Sequence, residues 1–226
     1  MELEIRIKMN EKLYLRDPES SELGKKIIKH SILLINKIGF EDFTFKKLAN
    51  TIQTTETGIY RYFENKHRLL VYIIAWYWNL IEYQVVSQTN LITDPEKKLI
   101  KTIHLLSEEI DTKNLGIDIN SKALFQIMIS ESNKVYLTKN VSGDNKSQLF
   151  KPYKDLCNRI AGFISLYAPK YKFPHSLSST LIETAHLQCF FMNNLPSLTD
   201  FGKEKNTAIL QKFLEELVFA SIRGKK

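Results

Sequence analysis

Cysteine is nearly missing from the sequence: among 226 residues there are two, Cys157 and Cys189. That excludes a disulfide-stapled secreted scaffold and points to a reducing compartment. No basic-then-apolar leader opens the chain and no long uncharged apolar run follows, so a cytoplasmic protein with no membrane partner is expected. A Gly-rich phosphate loop, a His-Glu-x-x-His pair and a nucleophile elbow are also absent, which removes the usual sequence support for nucleotide, zinc-protease or acyl-hydrolase chemistry. Internal repeats, low-complexity tracts and linkers are missing too. Beyond Ala75 there is almost no strand signal.

What is present is enough apolar material for a core, 43% of the residues, and a net charge of +7 with a pI near 9.2. The basic excess favours an anionic partner but serves solubility equally well, so its position along the chain must decide. Met1, Leu3, Ile5, Ile7 and Met9 alternate with Glu2, Glu4, Arg6 and Lys8, and a second short run covers Lys12 to Arg16. Period two predicts either a β-hairpin over residues 3–16 or an extended arm, closed by Asp17-Pro18 and removable up to residue 17 without loss of the fold. From Leu23 the period becomes helical, with Ile27, Ser31, Leu34 and Ile38 on one face and Gly39 at the C-terminal position. Further helices are expected at 66–89, 95–111, 120–137, 148–168, 176–193 and 203–222, separated by Pro, Gly and Asn breaks. The fold class is all-α, with residues 1–20 an arm, 21–68 a small N-terminal domain and 69–226 a helical body.

Between Phe43 and Leu70 three helix starts crowd together. Thr44 is a good N-cap for a short helix whose Phe45, Leu48, Ala49 and Ile52 share a face. Thr54 or Thr55 caps a second, running through Tyr62, with Ile59, Tyr62 and Phe63 inward; Asn65 caps the long helix that follows. Two short helices and a tight turn suit the DNA major groove, which admits one helix held by another that crosses the backbone. The face left outside is Thr55, Glu56, Thr57, Tyr60 and Arg61, flanked by Lys46, Lys47, Lys66 and Arg68; a plain surface hairpin of helices would look similar.

Taken together, Gly39-Phe40, Thr44, Leu48-Ala49, Tyr60-Arg61-Tyr62-Phe63, Lys66 and Leu69 resemble the N-terminal domain of the tetracycline-repressor (TetR) family of bacterial regulators over about Lys25 to Leu70. One departure is Gln53-Thr54-Thr55 where the family usually has Gly-Val-Ser, which leaves the turn without its glycine. The resemblance implies a helix-turn-helix that binds a double-stranded operator, with Thr44, Tyr60 and Lys66 at phosphates and Thr55, Glu56, Thr57 and Arg61 at base edges, Lys46 lying beside them. It implies a homodimeric repressor whose residues 69–226 sense a ligand and dimerise. A helical sensor or interaction protein that no longer reads DNA is the alternative.

In the body, aromatic side chains at helical spacing serve as core or line an apolar cavity. For the cavity the candidates are Trp76, Tyr83, Phe125, Met128 and Phe163, with His104 and Gln126 as polar contacts, and the effector expected is an apolar small molecule. For the dimer the candidates are Leu181 and Ala185 in the penultimate helix and Leu210, Phe213, Leu214 and Leu217 in the last. Glu183 and His186, like Glu64 and His67, have the spacing of a carboxylate-histidine metal pair, but the second pair falls at a helix junction and cannot face the first. No catalytic residue, metal or cofactor is expected.

Overall fold

A computed structural model describes residues 8–110, 112, 115–202 and 204–223. Among them every regular element is a helix. The α-helices are α1 Glu22–Asp42, α2 Phe45–Ile52, α3 Glu56–Tyr60, α4 Lys66–Thr89, α5 Pro95–Ser107, α6 Ser121–Glu131, α7 Asn133–Tyr136, α8 Val141–Lys146, α9 Lys151–Tyr167, α10 Pro174–Asn194 and α11 Thr207–Arg223, with short 3-10 turns at Glu11–Leu13, Pro18–Ser20 and Pro196–Leu198.

Packing separates the chain into two compact units: the chain up to Asn79 with Ile110–Pro152, and Leu80–Glu109 with the chain from Tyr153 onward. In the first unit α1 lies against α2 and α6, and α2 against α3. The regular part of α1 stops at Gly39, whose φ of 77° is the left-handed exit that a glycine supplies cheaply. Just past it, the Phe40 N–H donates to Glu131 Oε1 at 3.1 Å, and Lys134 joins Glu131 at 2.9 Å to Glu41 at 2.8 Å. That hydrogen bond from Lys134 holds the Glu41 carboxyl below the usual carboxylate range.

The first half of α4 shows why its sequence is apolar on every face. From Leu69 to Trp78 all ten residues are buried, and the most apolar window of the helix, long and apolar enough to cross a membrane, is 78% buried inside the protein. A helix without a polar side belongs in a core, and this one is the core. Trp78 still needs a partner for its indole N–H, which donates to the Tyr136 hydroxyl at 2.6 Å.

Two expectations are corrected in this unit. Strand pairing is not formed over the described part of the N-terminal arm: Asn10 caps the Glu11–Leu13 turn by accepting from the Lys12 N–H, while residues 3–7 of the expected hairpin lie outside the described residues. Met9 and Leu13 are buried, so removing residues 1–17 would take core side chains away. The break expected at Ser142-Gly143-Asp144 is instead the short α8, because Asp144 is buried in a salt bridge of 2.7 Å with Arg68.

In the second unit α5, α10 and α11 pack on one another. Leu181, Ala185, Leu210 and Leu214 are fully buried there within a single chain, so they cannot form the dimer face for which they were candidates. On α11, Leu210 and Leu214 are the inward members of the candidate set. Outward on α11 stand Ile209, Phe213 and Ala220, with Leu217 half-buried, and Leu187 is exposed on α10.

Candidate nucleic-acid interface

Thr44 begins the site as the N-cap of α2, its hydroxyl accepting from the Lys47 N–H at 3.2 Å. Phe45, Leu48 and Ala49 turn inward, and Lys46, Lys47, Asn50 and Thr51 turn out. At the end of α2, Gln53 takes the left-handed conformation, φ 56° and ψ 50°. The turn therefore has the geometry a glycine would favour, with a glutamine in it, and the Thr54 N–H closes it on the Ala49 carbonyl at 2.9 Å. Of the two threonines considered as the next cap, Thr55 is the one used: its hydroxyl accepts from the Gly58 N–H at 3.1 Å.

Helix α3 is only five residues long and cannot persist alone. Ile59 and, beyond the helix, Tyr62 and Phe63 bury it, while Glu56, Thr57, Tyr60 and Arg61 remain exposed. Tyr60 is 48% exposed, yet its ring is held edge-on by Phe45 with centroids 4.9 Å apart. Seven of the eight predicted contact residues, Thr44, Lys46, Thr55, Glu56, Thr57, Tyr60 and Arg61, thus lie on or cap α2 and α3. The exposed cations Lys46, Lys47 and Arg61 are offset by Glu56 and Glu64, so attraction for a polyanion is local to the lysine pair and the arginine.

Lys66 is the exception. Its ammonium donates to the carbonyls of Phe40, Glu41 and Phe43 at 3.1, 2.9 and 3.1 Å and sits 4.9 Å from the Phe40 ring centre. All three of its donors are used within the chain, which makes it the C-terminal cap of α1. Beside it Asn65 caps α4, its side chain accepting from the Arg68 N–H at 2.9 Å.

The residues proposed for an apolar cavity divide between the units. Trp76, Phe125 and Met128 are buried in the first unit, with Gln126 half-buried. In the second, Tyr83 is 41% exposed, His104 Nε2 is 3.1 Å from Glu215 Oε1, and Lys98 lies 5.3 Å from the centre of the Phe163 ring. Tyr153 donates to Glu183 Oε1 at 2.7 Å, and burial lowers the His186 pKa to about 4. Among the described residues no three His, Cys, Asp or Glu side chains are grouped to hold a metal ion.

A buried scaffold holding a five-residue helix with a polar outer face has the geometry of a helix-turn-helix. Residues 27–73 match the family model of bacterial regulatory proteins, tetR family. The fold is similar to that of the fatty acid degradation regulator FadR from Bacillus halodurans, at 18% identity, a TM-score of 0.61, and coverage of 88% of this chain and 96% of that one. AibR, solved with isovaleryl coenzyme A and operator DNA, is 14% identical with a TM-score of 0.57 over 89% of this chain and all 100% of its own. A transcriptional regulator from Aquifex aeolicus VF5 is 15% identical with a TM-score of 0.53 over 87% and 97%. The sequence matches no curated protein.

Proposed function

We propose that this protein is a cytoplasmic, homodimeric transcriptional repressor that binds a palindromic operator and releases it when an apolar small molecule binds its helical body. The observation that carries the reading is the outer face of α3, Glu56, Thr57, Tyr60 and Arg61, presented by a buried and capped scaffold within the matched family segment. Thr57 and Glu56 are the base readers, Glu56 accepting from a cytosine amino group; Thr44, Lys46 and Tyr60 meet the backbone, and Arg61 serves either. Division by function falls near residue 68, with residues 69–226 for effector and dimer.

Two-fold pairing through the outward faces of α10 and α11, Leu187, Ile209, Phe213, Leu217 and Ala220, sets the two recognition helices about 34 Å apart on successive major grooves. The effector lies among the aromatic residues of the body, and α4, which follows directly on the helix-turn-helix, is its route to the DNA-binding domain. Because AibR was solved with isovaleryl coenzyme A and FadR regulates fatty acid degradation, compounds that carry an apolar acyl chain, free fatty acids and acyl coenzyme A thioesters, are the first to try.

The test is fluorescence anisotropy of a duplex selected from a random pool by the wild-type protein. Binding that falls steeply with salt, two half-sites in the selected sequence, and release by an acyl thioester accompanied by a change in Trp76 and Trp78 emission would support the reading. Equal, weak affinity for every duplex would favour the sensor or interaction protein instead.

A further inference from the structure

We propose that residues 9–21 form a positioning strap for the recognition helix, gripping the chain just past α3 and tying it to α4 and α8 without touching DNA. The grip converges on Tyr62, a buried residue two positions beyond the end of α3. The Leu15 N–H donates to the Tyr62 carbonyl at 2.8 Å, the Ser21 and Tyr62 hydroxyls share a hydrogen bond of 2.7 Å, and the Arg16 guanidinium lies 5.4 Å from the centre of the Tyr62 ring. Ser21 also caps α1 by accepting from the Gly24 N–H at 3.1 Å, so the grip joins the start of α1 to the end of α3.

The far end is anchored elsewhere. Asn10 Nδ2 donates to the Ser147 carbonyl at 2.9 Å, next to the end of α8; Asn79 Nδ2 is 3.4 Å from Met9 Sδ; and Tyr14 meets Tyr72 edge-on at 6.2 Å, the last two on α4. Between the ends, Leu13 and Pro18 are buried, and Gly24 lets the strap pass so close that a Cβ there would lie 2.1 Å from the Pro18 carbonyl oxygen. A five-residue helix has little of its own to define its orientation, so a clamp at its C-terminal exit sets where Tyr60 and Arg61 stand. Residues 9–21 precede the matched segment 27–73.

The proposal rests on the DNA-binding reading for its consequence but not for its mechanics, and the test keeps the two apart. Tyr62→Phe removes one hydroxyl and keeps the ring. Asn10→Asp keeps the oxygen that caps Lys12 but removes the donor to Ser147. Amide hydrogen exchange needs no DNA: each variant is expected to raise exchange at Arg61 to Phe63 by about three- to tenfold, as loss of one hydrogen bond allows, with global unfolding in denaturant little changed. On the duplex selected by the wild-type protein, affinity is expected to fall by a similar factor with an unchanged slope of log affinity against log salt, because no phosphate contact is lost. Unchanged exchange in both variants overturns the strap. A salt slope reduced by about one in Arg16→Ala also overturns it, making Arg16 a phosphate ligand. If the wild-type protein selects no duplex, the DNA-binding reading fails, and exchange still decides the strap.

Discussion

The α2–α3 pair and the α10–α11 pair each present a face to the outside, and the two faces have opposite chemistry. On α2 and α3 the outer residues are Lys46, Lys47, Glu56, Thr57, Tyr60 and Arg61, on helices of eight and five residues held by the Thr44 and Thr55 caps and by a few inward aromatics. On α10 and α11, helices of 21 and 17 residues, the outer face carries Leu187, Ile209 and Phe213 above a fully buried layer of Leu181, Ala185, Leu210 and Leu214. Short helices whose stability is borrowed from neighbours can afford a polar face and suit a polar, charged partner. Long helices with apolar residues left over outside suit a second apolar surface.

The sharpest way to break this comparison is to charge the two sides of one helix. Leu214→Asp places an unpaired carboxylate in a fully buried position and should cost more than about 4 kcal/mol, unfolding the second unit by circular dichroism. Its neighbour Phe213→Arg, 39% exposed, should retain helicity and instead lower the mass seen by light scattering from dimer to monomer. If Phe213→Arg unfolds the protein as well, α11 has no free face and the comparison fails.

Next in size is pH. His186 is buried in α10 with its pKa lowered to about 4 by desolvation, against about 6.5 in the unfolded chain. The unfolded state therefore binds the proton first. Stability from the neutral ring is complete above pH 6.5 and is lost as pH falls toward 4, by on the order of 3 kcal/mol. Denaturant midpoints measured across that range should slope in the wild-type protein and flatten in His186→Gln.

A smaller effect tests what holds the polar face in place. Lys66→Met removes three ammonium–carbonyl bonds at the end of α1 and should lower stability by about 1–2 kcal/mol while leaving the salt slope of DNA binding unchanged. Loss of about one unit of slope with no loss of stability would return Lys66 to the phosphate backbone. The smallest effect has the opposite sign. Gln53 sits at φ 56°, where a side chain costs about 1–2 kcal/mol, and Gln53→Gly gains that back less the entropy of a freer unfolded chain, so the melting temperature should rise slightly with DNA affinity unchanged.

Much of the molecule was legible in its sequence. Thr44 and Asn65 as caps, a cap at Thr54 or Thr55, Gly39 as the α1 terminator and the span 66–89 follow from interactions within one turn of the chain, and such local chemistry is readable without knowledge of the rest. The outward set on α3 was legible for the same reason, since Ile59, Tyr62 and Phe63 left only one side free. Asp144 departs from expectation because a Ser-Gly-Asp triplet signals a turn locally, whereas its carboxylate is buried against Arg68, a partner 76 residues away.

By itself, then, the sequence determined the helical class, the order of the long helices, the capped short pair and the polar face of α3, all of which depend on residues a few positions apart. Tertiary structure alone decided that Lys66 closes the end of α1, that residues 9–21 strap Tyr62 to α4 and α8, and which side of α11 is outside. Periodicity reveals that a helix has an apolar stripe but not what covers it: Leu210 and Leu214 fall on the same pattern as Phe213 and Leu217, and only the packing of α5 and α10 against α11 separates the buried pair from the exposed Phe213 and the half-buried Leu217.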